Sequence, residues 1–181
     1  MHNALTTGEV KQSLLNVGGA GPILVTRPVQ IVIAEDQPEV RALLREQLRL
    51  APDLDLIGEA HDGWEAVRAV GRLNPEVMIL DLDLPGLSGL EVLQIVRWCS
   101  PNTRVIILSG HDEEDTIREA LKHGARGYIV KGEETDLSKA IRAVQGVEIW
   151  VRRRVLTQVI EELVALASLA FPATGGEPAL A

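Results

Sequence analysis

Several polar side chains in this sequence follow runs of apolar residues directly, as reactive groups do at the ends of buried strands. The clearest run, Val-Met-Ile-Leu at 77–80, leads to Asp81, with Asp83 two residues later and a Pro-Gly turn at 85–86. Four consecutive apolar residues are typical of a strand buried on both faces. A carboxylate at the end of such a strand is costly unless a cation, a proton or a chemical role compensates for it. Asp81 is therefore the first candidate for chemistry.

Three further apolar runs end in the same way. The residues that follow them are Glu35 and Asp36 after 29–34, Ser109 after 104–108, and Lys131 after 127–130. In an open parallel sheet the carboxyl ends of the strands lie at one edge, and ligands bind beyond that edge. The sequence thus predicts a single site with three carboxylates, a hydroxyl and an amine.

The predicted carboxylates would repel one another unless a cation joined them. Mg²⁺ prefers oxygen ligands and keeps several waters while using one or two carboxylates. We expect Asp36 and Asp81 to contact the ion, Glu35 to support them, and the backbone carbonyl of Asp83 to be a further ligand. A carboxylate neutralised in this way can attack phosphorus to form an acyl phosphate, while Lys131 and Mg²⁺ balance the charge of the phosphoryl oxygens.

Strand and helix patterns alternate along the segments that carry these residues. The helical stretches have apolar residues at helical spacing, as at Leu137, Ala140, Ile141 and Val144, and helix N-caps are predicted at Asp62, Ser88 and Asp112. Five strands that alternate with five helices predict an α/β fold. Its core is a doubly wound, five-stranded parallel sheet with helices on both faces.

The regular alternation predicts four parts of the chain. Residues 1–28 lack a sustained period and are expected to form a flexible extension, with 23–25 as an extra edge strand in the alternative. Residues 29–146 form the domain itself. Residues 147–171 are predicted to be a linker and an extra C-terminal helix, whose apolar stripe packs on its own domain or pairs with a second chain. A homodimer would form through this helix or through a face of the domain itself. Residues 172–181 are expected to be a disordered tail.

The composition limits the classes of function. The formal net charge of −8 argues against an overall nucleic-acid-binding surface. A single cysteine, Cys99, excludes an intrachain disulfide, and the four histidines lack the spacing of zinc ligands. No apolar run approaches the roughly 18 residues of a membrane span, so we expect a cytoplasmic protein without membrane contact.

The candidate residues and their neighbours resemble the receiver domain of two-component response regulators. The resemblance extends from about residue 29 to residue 145 and follows the family's order: the pair Glu35-Asp36, segment 78–86, Leu108-Ser109-Gly110 and block 124–131. It implies a flavodoxin-like sheet with strand order 2-1-3-4-5. It further implies that Asp81 accepts a phosphoryl group from a sensor histidine kinase with Mg²⁺ bound, and that the protein is not an enzyme beyond its own phosphorylation and dephosphorylation.

The same resemblance implies roles for the remaining residues. Lys131 would pair with the phosphate and Ser109 would donate a hydrogen bond to it. Ser109 and Tyr128 would form a switch in which the tyrosine turns inward, whereas in the alternative Tyr128 is an ordinary strand residue with its hydroxyl in water. Asp83 and His111 occupy positions that influence how fast the phosphate is lost.

Two features of the resemblance bear on the output and on one loop. Tract 140–150 resembles the NarL/FixJ subfamily, whose receivers usually lead to a helix-turn-helix domain. We find no such domain in this sequence, so the expected output is transcription control through a domain outside it, or contact with a protein partner. Gly132 follows Lys131 where the family often has proline, which puts the usual cis peptide of that loop in doubt.

Two other functions remain open from the sequence. The first is a receiver-like binding module that does not depend on phosphorylation. The second is a phosphohydrolase of the haloacid-dehalogenase type, because the tripeptide 81–83 matches an Asp-x-Asp nucleophile motif. In that class, however, the motif lies on the first strand, whereas here it follows the third predicted strand.

Overall fold

The structure, a computed structural model, describes residues 13–15, 23–25 and 27–170. Its first two elements are the short strands β1 (Ser13–Leu15) and β2 (Ile23–Val25). The others are, in chain order, β3 (Val29–Ala34), α1 (Pro38–Arg49), β4 (Leu54–Ala60), α2 (Gly63–Leu73), β5 (Val77–Leu80), α3 (Gly89–Cys99), β6 (Arg104–Ser109), α4 (Glu114–Lys122), β7 (Gly127–Val130), α5 (Leu137–Gln145) and α6 (Arg153–Ala170).

Five of these strands form one parallel sheet in the order β4-β3-β5-β6-β7. Numbered among themselves along the chain, they have the order 2-1-3-4-5 that the resemblance implied. The register pairs Ala34 with Leu80, and Leu80 with Ile107, so the strands end nearly level. The predicted doubly wound α/β fold is confirmed, and the carboxyl ends of the strands meet at one edge.

The core lies on both faces of this sheet because successive side chains of a strand point in opposite directions. In β5, Met78 and Leu80 face α2, α3 and α4, whereas Val77 and Ile79 face α1 and α5. All four residues are at most 1% exposed. A strand covered on both sides explains why its sequence is a continuous apolar run.

Local signals set the starts of two helices as predicted. The side chain of Asp62 accepts a hydrogen bond from the Glu65 amide at the start of α2. Ser88 and Glu91 form a capping box at the start of α3. The predicted cap at Asp112 is wrong: α4 begins at Glu114, and its N-cap makes no side-chain hydrogen bond. Asp112 precedes the N-cap, outside the first turn that a capping side chain serves.

The segment before α6 extends the sheet beyond β7. Trp150 donates its backbone N–H to the carbonyl of Arg126, at 2.9 Å, and accepts from the N–H of Tyr128, at 2.8 Å. Gly127 and Trp150 form a parallel bridge. The edge of β7 is therefore covered by the linker that leads into the last helix.

Helix α6 then packs along α4. Val155 at its start is 1% exposed and belongs to the core cluster. Glu162 forms ion pairs of 2.9 Å with Arg118 and with Lys122 of α4. Of the two arrangements predicted for this helix, packing on its own domain is thus the one that the structure contains.

The short strands β1 and β2 pair with each other in an antiparallel arrangement and form a separate two-stranded sheet. The alternative in which residues 23–25 join the main sheet is therefore not observed. The rest of the predicted extension up to residue 26, and the predicted tail 172–181, lie outside the described residues. Over the described ranges, no helix is long and apolar enough to cross a membrane.

Candidate functional site

Three predicted carboxylates meet at the carboxyl edge of the sheet. One carboxylate oxygen each from Glu35, Asp36 and Asp81 lies within 4.8 Å of the other two. The strand ladder continues one residue past β5, because the Asp81 N–H donates to the carbonyl of Ala34, the last residue of β3, at 2.9 Å. Glu35 and Asp81 are each 1% exposed, whereas Asp36 is exposed. The result is an acidic cluster with one side open to solvent.

Lys131 reaches this cluster from the end of β7. Its Nζ lies 2.7 Å from Asp81 Oδ2 and 2.9 Å from Glu35 Oε2. Burial lowers the pKa of Lys131, but its hydrogen bonds to Asp81 and Glu35 outweigh this effect and raise the pKa above its ordinary value. Burial also raises the pKa of Glu35, and the hydrogen bond from Lys131 opposes this shift. The ammonium is thus held charged between two buried carboxylates.

The donor set fits a divalent cation. Three carboxylates and one ammonium leave two negative charges in excess when all four groups are ionised. The side chain of Asp36 has no hydrogen bond or ion pair with any residue in the described part of the chain. Oxygen ligands with room for water suit Mg²⁺, which binds proteins through one or two carboxylates.

Asp83 and His111 meet beside this cluster. The Asp83 amide donates to Asp81 Oδ1 at 3.3 Å, and Asp83 Oδ1 lies 3.1 Å from His111 Nε2. The hydrogen bond with Asp83 raises the pKa of His111 above its ordinary value. Two residues that the resemblance grouped by role are therefore in direct contact across the opening of the site.

Ser109 and Tyr128 are connected through the backbone of His111. Ser109 is fully buried, and its hydroxyl oxygen accepts a hydrogen bond from the His111 amide at 3.2 Å. Tyr128 is 4% exposed and donates its hydroxyl to the His111 carbonyl at 2.9 Å. Burial raises the pKa of Tyr128. The alternative with the tyrosine hydroxyl in water is therefore wrong for this conformation.

Arg41 also belongs to the site, although it was not among the predicted residues. One guanidinium nitrogen, Nη1, donates to the Glu35 carbonyl at 2.7 Å and to the Asp36 carbonyl at 2.8 Å. A cation near the start of a helix is unfavourable for the helix dipole. The position of Arg41 shortly after the acidic pair was the signal in the sequence that this residue contributes to the site.

Glycine allows the loop after Asp81 to pack closely. A Cβ atom on Gly89 would lie 2.2 Å from the Asp81 carbonyl oxygen. Beyond Lys131, Gly132 has a φ of +86°, which suits a residue without a Cβ. No peptide bond among the described residues is cis, so the loop after Lys131 forms without the family's usual cis proline.

Comparison with known families and proteins adds to this geometry. The family model of the response regulator receiver domain matches residues 31–142. The nitrate/nitrite response regulator protein NarL of Escherichia coli (strain K12) is 34% identical over 134 residues, which are 74% of this chain and 62% of that protein. The oxygen regulatory protein NreC of Staphylococcus haemolyticus (strain JCSC1435) is 34% identical over 138 residues, which are 75% of this chain and 64% of that protein. The chain thus spans less than two thirds of these relatives.

Solved structures have the same fold. A two-component response regulator of the LuxR family from Aurantimonas sp. SI85-9A1 superposes with a TM-score of 0.68 at 28% identity, over 76% of this chain and 99% of that one. The signal receiver domain of the putative response regulator NarL from Mycobacterium tuberculosis gives 0.61 at 32% identity, over 67% and 96%. With the family model matching more than half of its length, this chain belongs to the response regulator receiver domains of two-component systems and has NarL-type relatives.

Proposed function

We propose that this chain is a receiver whose state is controlled by phosphorylation of Asp81. A sensor histidine kinase supplies the phosphoryl group, and the modified domain changes conformation to control an output in the cytoplasm. The observation that carries this proposal is the contact of 2.7 Å between Asp81 and Lys131, next to Glu35 and Asp36. A buried nucleophilic carboxylate with a cation already beside it is suited to phosphoryl transfer, in which charge stabilisation and positioning dominate.

The transfer step uses an oxygen of Asp81 as the nucleophile. This oxygen forms a bond to phosphorus while the bond from phosphorus to the kinase's histidine nitrogen breaks, and the electron pair stays on that nitrogen. Lys131 moves its ion pair from the free carboxylate to a phosphoryl oxygen. Asp36, Asp81 and the backbone carbonyl of Asp83, with Glu35 in support, would hold Mg²⁺, which would supply positive charge to neutralise the phosphoryl oxygens.

The phosphoryl group then acts on Ser109 and its neighbours. Phosphate adds strong acceptors, and the hydroxyl of Ser109, at the end of β6 and next to the strand that leads to Asp81, is its donor. Since His111 bonds to Ser109, Tyr128 and Asp83, a shift of Ser109 toward phosphate moves all three contacts. Ser109 and Tyr128 are thus the two-state element of the proposed switch, and Asp83 with His111 governs how readily water reaches the phosphate.

The route from Tyr128 to the output leads through the linker and α6. The Tyr128 amide donates to Trp150, and α6 is held on α4 by the ion pairs of Glu162. Rearrangement at Tyr128 therefore alters how α6 packs on α4. The conformational change is passed on either to an output domain that controls transcription, by analogy with the NarL and NreC relatives, or to a protein partner. A second copy can also bind at α6, where Ile160 is 51% and Leu166 62% exposed. DNA contact is assigned only to an output domain.

Phosphodonor treatment tests the central step. The purified chain is incubated with Mg²⁺ and acetyl phosphate, its intact mass is measured, and the adduct is mapped by peptide. We expect one acid-labile phosphoryl group within residues 77–86 and none in Asp81→Asn. Asp83→Asn is the matched control, since it removes a nearby carboxylate but keeps the nucleophile. A label elsewhere, or one that persists in Asp81→Asn, would refute the assignment.

Hydrogen exchange of α6 tests the switch in the same samples. With beryllium fluoride bound, we expect amide exchange to change in residues 153–166 of the wild type and to stay constant in Asp81→Asn. An unmodified mass together with unchanged exchange would indicate a binding module that does not depend on phosphorylation. Catalytic turnover of a phosphomonoester would instead indicate a phosphohydrolase.

A further inference from the structure

We propose that Arg41 is a positioning residue that holds Asp36 in place for the divalent cation. This inference rests on the proposed function, because it assumes that Asp36 and Asp81 bind Mg²⁺. Its basis is one guanidinium nitrogen that bonds to two successive carbonyls, of Glu35 at 2.7 Å and of Asp36 at 2.8 Å. Arg41 contacts the backbone that carries the acidic pair and does not contact the predicted ligand atoms.

The turn that carries Asp36 has few other anchors. The N-cap of α1, Gln37, makes no side-chain cap hydrogen bond, and Pro38 has no N–H to donate. The Gln37 amide donates to Glu35 Oε1 at 3.3 Å, which restrains Glu35 and Gln37 but not the residue between them. The Asp36 side chain is exposed and has no described partner. The position of its carboxylate therefore depends on its backbone, which Arg41 holds.

The Arg41 side chain is itself fixed. It is 11% exposed, and its Nε lies 3.7 Å from Glu59 Oε2 on β4. Glu59 also binds Arg45, one turn further along α1, at 2.9 Å and 2.8 Å. A planar guanidinium packed between β4 and the turn holds its donors in fixed directions. Arg41 is thus suited to fix a turn rather than only to add charge.

The sign of the effect on Mg²⁺ affinity separates these two roles. A nearby positive charge repels Mg²⁺, so its removal alone would make the ion bind more tightly. Loss of positioning has the opposite effect, because the ligand must then be ordered on binding. Changes in groups that orient metal ligands typically weaken metal affinity by roughly 10- to 100-fold. For Arg41→Ala we expect the Kd for Mg²⁺ to rise about tenfold, the lower end of that range.

A Mg²⁺ titration of the full chain tests the inference. Intrinsic tryptophan fluorescence is a suitable signal, since Trp64 packs against Gly86 in the loop after Asp83. Arg45→Ala is the matched control: it removes a guanidinium from the same helix and from the same Glu59, but one that bonds to neither carbonyl. We expect its Kd for Mg²⁺ to stay within about twofold of the wild type, since a surface ion pair has little influence on a distant site.

Two further measurements make the role of Arg41 specific. In Arg41→Ala, the Mg²⁺ concentration for half-maximal phosphorylation by acetyl phosphate is expected to rise, while the rate at saturating Mg²⁺ stays near that of the wild type. Circular dichroism checks folding, and Arg41→Lys replaces Arg41→Ala if the latter unfolds. Arg41→Lys keeps the charge but loses the guanidinium geometry, so its Kd should also rise.

The outcomes separate this inference from the proposed function. Equal or tighter Mg²⁺ binding by Arg41→Ala, or equal weakening in Arg45→Ala, overturns the positioning role while the wild type still binds the ion. A wild type that does not bind Mg²⁺ overturns the proposed function, and the inference with it. Weaker binding in Arg41→Ala alone, with an unchanged saturating rate, supports the inference.

Discussion

Replacing Lys131 with methionine removes the ammonium at the centre of the site and keeps most of the apolar stem. The ammonium lies 2.7 Å from Asp81 and 2.9 Å from Glu35, whose side chains are 0% and 1% exposed. Without it, two carboxylates share a buried pocket with no described cation between them. Glu35, whose pKa burial already raises, then takes up a proton, since like charges in one pocket disfavour double ionisation.

The cost of this proton uptake limits how much stability is lost. For a carboxyl with an ordinary pKa near 4.3, protonation at pH 7 costs about 3.7 kcal/mol, and at pH 5 about 1 kcal/mol. Removal of the lysine also relieves the desolvation of its own charge, and this side chain is 20% exposed. We therefore expect Lys131→Met to lose about 2 to 3 kcal/mol at pH 7 and at most about 1 kcal/mol at pH 5.

Urea denaturation at both pH values measures the loss, with EDTA present and again with Mg²⁺. Mg²⁺ is expected to reduce the loss at pH 7, because it replaces the missing positive charge. Lys139→Met is the control, since this lysine is 71% exposed and, among the described residues, forms its ion pair with Asp136, the N-cap residue of the same helix. A loss of equal size at pH 5 and pH 7 would show that packing explains the effect, and would contradict a charge-balancing role for Lys131.

Two more predictions concern the loop after Asp81 and the two residues, Asp83 and His111, at the opening of the site. Gly89→Ala is expected to lower the free energy of unfolding by about 3 kcal/mol, because the added Cβ would meet the backbone of Asp81 and Leu82. Gly71→Ala in α2 is the control: its added Cβ meets open space, so the free energy of unfolding should rise by about 0.5 to 1 kcal/mol in the same urea assay. In an NMR titration, the pKa of His111 should lie above its ordinary value and fall in Asp83→Asn. Because the pKa of His111 is raised in the folded state, the contribution of the His111–Asp83 pair to stability is fully present below the unfolded pKa of about 6.5. This contribution is lost as the pH rises through the folded pKa. An unchanged pKa of His111 in Asp83→Asn would contradict the assigned contact.

Sequence reasoning identified the residues that follow the strands because these signals are local. An apolar run marks a buried strand, and the next residue must lie at the sheet edge, so Asp81 and Lys131 were found without knowledge of their contact. The caps at Asp62 and Ser88 were likewise predicted from the few residues around them. The cap predicted at Asp112 was wrong, because acidic residues also occupy positions 113–115 around the start of α4 and the pattern does not distinguish among them.

Other contacts depend on which segments the fold brings together. His111 bonds to Asp83 on one loop and to Tyr128 on a neighbouring strand, so no local pattern reveals these two partners. The same holds for Glu162, whose partners lie on α4 about 40 residues earlier.

The alternation of strands and helices, and the polar residue after each strand, are encoded locally, since hydrophobic periodicity and turn chemistry act over a few residues. The contacts of Lys131 with Glu35 and Asp81, and of Arg41 with the acidic turn, form only when the chain has folded. The same is true of the packing of α6 on α4. Such contacts follow from strand order and helix packing, which join distant segments and leave little trace in the neighbouring sequence.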